Sequence, residues 1–227
     1  MTVSPSFLIR AAGAAAVAAG AIFVGVNINH PHLDIDSITT TELAIRNTLK
    51  VLMCALALVG ITGMYLSQVR RNGVLGLVGY LVLSAGYLLI MCTTFAAAYV
   101  LPSLTETDPS YVEDVLDGAR GDPVTGDIGA LDTVFQLQGL CYLAGGLLLG
   151  IALFRARVLI RWAAVLLAVG GLVSAALTFM PDAFYRLLAY PNGIAMIALG
   201  YSLWRSQHQA TDQTQEATEH RPHESAV

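Results

Sequence analysis

Six stretches of the chain are apolar over most of their length, at roughly 8–28, 46–67, 74–101, 130–154, 157–180 and 183–204. An α-helix needs about 20 such residues to cross the ~30 Å hydrocarbon core of a bilayer. Polar residues gather between the runs and after the last one. The pattern predicts an all-α, polytopic transmembrane bundle of six spans over 1–205, with a disordered polar tail over 206–227. The third run is long enough to tilt or to project from the bilayer. The first reads as a retained span, because no Lys or Arg precedes Arg10 and its apolar stretch exceeds the about 7–15 residues of a signal-peptide core.

Composition agrees with the pattern. Apolar residues make up 56% of the chain and charged residues only 12%, against about a quarter charged in a soluble domain. The lipid bilayer is the first partner this implies, in a multi-pass protein of the cell membrane. With a net charge of −4, the chain offers nothing expected to bind nucleic acid.

Charge also sets an orientation. Arg10, Arg70, Arg71, Arg155, Arg157, Arg161, Arg205 and Arg221 fall on one side when six spans are threaded. Arg46, Lys50, Arg120 and Arg186 fall on the other. That bias places both termini in the cytoplasm. Twelve of the sixteen acidic residues lie on or near the opposite side, and the other four are in the tail.

The two outer loops carry local signals. Thr39 and Glu42 have the spacing of a capping box, which predicts a helix starting near 40. Glu42, Arg46 and Lys50 then follow at i, i+4 and i+8 on one face. Residues 108–118 predict a short helix with Asp108 as N-cap, Pro109 as its first residue and Gly118 as its stop. Tyr111, Val112, Val115 and Leu116 give it an apolar side suited to the membrane surface or the bundle.

Candidate chemistry is sparse. His30, His32, Asp34 and Asp36 alternate after the first run, so an extended chain turns all four to one side, as ligands for a metal such as zinc. Pro31 restricts that strand, and closing a site requires a further ligand from Glu42, Asp132 or Asp182. No H-E-x-x-H or C-x-x-C signature occurs, so a solvated connector is the favoured reading, and no cofactor is expected. Cys54, Cys92 and Cys141 all sit inside apolar runs as small hydrophobes.

Asp132, Gln136 and Gln138 are the strongest polar signal within a span. Asp132 and Gln136 lie one turn apart, and an ionisable group there is expected to face the bundle interior or a wet cavity. Arg46 or Arg186 is the expected counter-ion of such a ligand pocket. Pro191 and Asn192 interrupt the sixth run and predict a kink. Small residues four apart, at Ala16 and Gly20, Ala21 and Gly25, Gly146 and Gly150, and Gly170 and Ser174, give faces for close helix packing. Those faces suit a tight bundle, a second copy of the chain or other membrane subunits.

His30-Pro31 after the first span, with Gly60, Gly63 and Tyr65 in the second, resembles poorly characterised bacterial multi-spanning membrane proteins. Those carry His-Pro after span one and Gly-x-x-Gly-x-Tyr in span two. The resemblance covers about the first third of the chain, implies a small helical membrane protein, and brings no functional residues with it. A non-catalytic accessory or scaffold protein is the expected function. The alternatives are a small-molecule or ion transporter using Asp132, and a membrane-embedded metal-dependent enzyme using His30 and His32.

Overall fold

The computed structural model describes residues 4–177 and 189–219. Within them all regular structure is helical: α1 (Pro5–Asn27), α2 (Ile35–Ile38), α3 (Thr41–Leu66), α4 (Val69–Tyr99), α5 (Leu101–Leu104), α6 (Pro109–Arg120), α7 (Leu131–Ala156), α8 (Arg161–Leu177) and α9 (Ala189–Glu219). Four of these, α1, α3, α4 and α7, are long and apolar enough to cross a membrane. They coincide with the first four apolar runs. The fifth and sixth runs fall partly outside the described residues, as do Asp182 and Arg186.

Several boundaries differ from those expected, for local reasons. The capping box forms at Asp34 and Ser37, at the start of α2. Thr39 instead donates its hydroxyl to the Asp36 carbonyl, and Thr40 caps α3 by accepting from the Leu43 amide. Helix α6 starts on Asp108 and Pro109 as expected but passes through Gly118 and ends on Gly121, whose φ of 83° suits a residue without Cβ. Helix α4 is broken near its start, where Gly73 has φ 58° and ψ −161°. Helix α9 continues to Glu219, beyond the point where composition predicts disorder. Residues 201–219 contain no Gly or Pro and several good helix formers. Pro191 lies in the first described turn of α9, and the residues directly before Ala189 are outside those described.

Helix α7 lies along α4, α1 lies along both α9 and α3, and α8 joins α7 to α9. The small residues serve these contacts. A Cβ on Gly20 would stand 2.4 Å from the Gly193 carbonyl oxygen, and one on Gly145 would stand 2.2 Å from the Leu83 nitrogen. Gly60 and Gly63 instead receive the methyl groups of Ala16 and Ala12 of α1. Helix backbones therefore touch directly at Gly20 and Gly145, and are separated by no more than a methyl group at Gly60 and Gly63.

Two apolar cores result. The larger runs through the bundle and includes Ala16, Ile61, Leu149, Leu167 and Leu199. A smaller one caps one end, where Val112, Val115 and Leu116 of α6 pack with Ile38, Leu43, Leu101 and Ile128. The opposite end gathers arginines. There Arg10 stacks over Trp204 at 5.9 Å, and the Ile160 amide donates to the Ser202 hydroxyl at 3.3 Å.

Candidate functional site

The capped end holds most of the residues marked out by the sequence. Helix α1 stops at Asn27, and its last carbonyls need donors from outside the helix. Arg46 of α3 provides them. Its Nη1 donates to Val26 O at 2.8 Å and to Ile28 O at 3.0 Å, and its Nη2 donates to Asn29 O at 3.4 Å. Asn29 has φ 47°, a left-handed conformation that asparagine tolerates better than most residues. Glu42, one turn before Arg46, pairs with the same guanidinium at 2.8 Å.

One turn further along α3, Lys50 Nζ lies 2.7 Å from His30 Nε2. His30 Nδ1 lies 2.7 Å from the Pro31 carbonyl oxygen. A carbonyl only accepts, so Nδ1 carries a proton, and in the neutral ring Nε2 accepts from the lysine. Both ring nitrogens of His30 are thereby engaged.

The expected alternation of four ligands does not form, because the chain turns helical at Ile35. Asp34 accepts from the Ser37 amide at 2.7 Å. That backbone hydrogen bond, helped by the Ser37 hydroxyl and the nearby His32 charge, holds the Asp34 carboxyl below its usual range. Asp36 and His32 are exposed. Among the described residues no three His, Cys, Asp or Glu side chains are grouped to hold a metal ion.

Two further ties fasten the cap. Arg120 donates to the Leu33 carbonyl and pairs with Asp117, and its Nε meets Asp122 at 2.8 Å. Asp114 accepts from the Thr125 amide at 3.0 Å, the Thr125 hydroxyl at 2.9 Å and the Gly126 amide at 3.0 Å. Those donors, the Gly126 amide foremost, lower the Asp114 pKa.

Of the residues expected to form a pocket around Asp132, Arg186 lies outside the described residues, and the other three do not converge. Asp132 and Gln136 are exposed, and the Gln136 amide donates to the Asp132 carboxylate at 2.9 Å. Arg46 is occupied at the end of α1. Asp132 stands in the first turn of α7, where a carboxylate needs no counter-ion to be stable. Gln138 instead makes the cross-helix bond, accepting from the Thr93 hydroxyl of α4 at 2.9 Å.

Asn47, Gln68 and Asn72, which no sequence pattern above marks out, are buried polar residues, 4%, 4% and 5% exposed. Gln68 and Asn72 flank Arg70-Arg71 between two apolar runs, and that four-residue spacing was the available signal. The arrangement at the capped end uses charged side chains to tie one backbone segment to another. No protein family, curated protein or solved structure matches the chain.

Proposed function

We propose that the chain is a six-span protein of the cell membrane with both termini cytoplasmic, acting as a non-catalytic accessory or scaffold protein. One observation carries this reading: Arg46, Lys50, His30, Asp34, Asp114 and Arg120 are each engaged in structural bonds within the capped end. Groups held in this way position helices and loops. The close helix packing supports the same reading, since it gives a rigid bundle on which the cap is mounted. On this topology the cap faces outward, and its exposed face is the surface offered to another membrane protein or a second copy.

Photo-crosslinkers at Ser110 and Glu113, both exposed on α6, test this in native membranes. A discrete adduct with a membrane subunit or a second copy is expected. Solute or ion movement by the purified chain in vesicles, abolished by His30→Ala, would overturn it. Labelling of a cysteine at Ser110 from outside, with a reporter after Gln207 inside, checks the orientation separately.

A further inference from the structure

At the end opposite the cap, the junction of α3 and α4 borders a cavity of about 470 Å³ lined by Leu66, Ser67, Gln68, Arg70, Arg71 and Val158. Among the described residues no carboxylate pairs with Arg70 or Arg71. Gln68 is 4% exposed; its amide nitrogen donates to Met64 O at 3.3 Å, while its side-chain oxygen has no hydrogen-bond donor among the described residues. A ligand suited to this cavity carries negative charge for the arginines and a hydroxyl for the glutamine.

A second cavity, of about 400 Å³, lies between α1 and α3 and is walled by Leu8, Ile9, Val59, Thr62, Gly63 and Leu66. Leu66 belongs to both. The apolar groove runs along α3 from Leu66 back to Leu58, about 12 Å at the helical rise. Leu66 thus stands between a basic polar cavity and an apolar groove directed along the bundle.

We propose that this double site binds one anionic phospholipid, its phosphodiester at Arg70 and Arg71, a headgroup hydroxyl toward Gln68, and the upper part of one acyl chain in the groove. The occupant is fixed by charge complementarity at one end and by an apolar channel at the other. A free phosphate satisfies only the first. The inference rests on the membrane-spanning reading, and the two fail differently. Loss of membrane insertion removes both, whereas an inserted chain without lipid preference removes this one alone.

The test uses the full chain in nanodiscs, comparing phosphatidylglycerol with phosphatidylcholine by spin-labelled lipid and by mass spectrometry of retained lipid. Arg70→Gln with Arg71→Gln should lower the preference about 30-fold, near fivefold for each arginine. Arg70→Lys with Arg71→Lys should keep most of it, which separates charge from folding. Val59→Trp, at a half-exposed groove position, should weaken binding without changing the headgroup order. Soluble glycerol phosphate should fail to compete. A preference unchanged in the double glutamine variant would overturn the site, and full competition by glycerol phosphate would overturn the lipid assignment.

Discussion

The guanidinium of Arg46 closes the end of α1 by donating to the Val26 carbonyl at 2.8 Å, across twenty residues of sequence. Replacing it removes the donor to the part-buried Val26 carbonyl and leaves the more exposed Ile28 and Asn29 carbonyls to water. Arg46→Met should cost about 1.5–3 kcal/mol, the range for hydrogen bonds involving a charged group. Glu42→Gln should cost under about 0.5 kcal/mol, because its carboxylate is 60% exposed. Thermal unfolding of the two variants in detergent measures the contrast.

Zinc should not stabilise the protein. His30 is held by Lys50 and Pro31, and Asp34 is held as a helix cap. Purified wild type and the His30→Ala, His32→Ala variant should therefore show the same small melting response to added zinc. Elemental analysis showing bound metal in the wild type alone would contradict this.

Close packing predicts a steep positional contrast within α1. Gly20→Val forces a side chain against the Gly193 carbonyl and Ile197, and overpacking of this kind costs about 1–3 kcal/mol. Gly25→Ala meets nothing within 4 Å and should be neutral. Resistance of the two variants to unfolding in harsh detergent gives the comparison.

The polar face of α7 should behave unlike its sequence suggests. Asp132→Leu should change stability by under about 1 kcal/mol, the scale of a carboxylate at a helix start. A double-mutant cycle on Thr93→Val and Gln138→Leu should give a coupling of about 0.6 kcal/mol, typical of hydrogen bonds between spans.

Asp114 should make its loop sensitive to acid. Its carboxyl is held below the ordinary 3.8 by the amides and hydroxyl of Thr125 and Gly126. The ordering is therefore complete above that value and is lost as pH falls through the lowered one. Hydrogen exchange at the Thr125 and Gly126 amides should be faster in Asp114→Asn at neutral pH. The difference from wild type should shrink below pH 3.8.

The apolar runs located four long helices, because bilayer thickness imposes a length that composition alone reveals. Local turn chemistry was legible where one residue decides it, as with Asp108 and Pro109. It failed where residues compete. Thr39 and Glu42 have the spacing of a cap, yet Thr40 and Arg46 take the roles that their geometry favours. Ties such as Arg46 to Val26 or Arg120 to Leu33 join distant segments, and no periodicity encodes them. The alternation at His30 to Asp36 assumed an extended chain. A single capped turn at Asp34 removed that premise.

The arginines opposite the cap have a consequence for how the chain settles after synthesis. Arg10, Arg70, Arg71, Arg155, Arg157, Arg161 and Arg205 lie at one end, and no acidic residue accompanies them before residue 206. Turning the inserted bundle over would drag seven fixed positive charges through hydrocarbon and through the transmembrane voltage. The voltage alone contributes about 2.3 kcal/mol per charge for every 100 mV. In a bundle that spans a bilayer, the leaflet that first receives those arginines would therefore keep them.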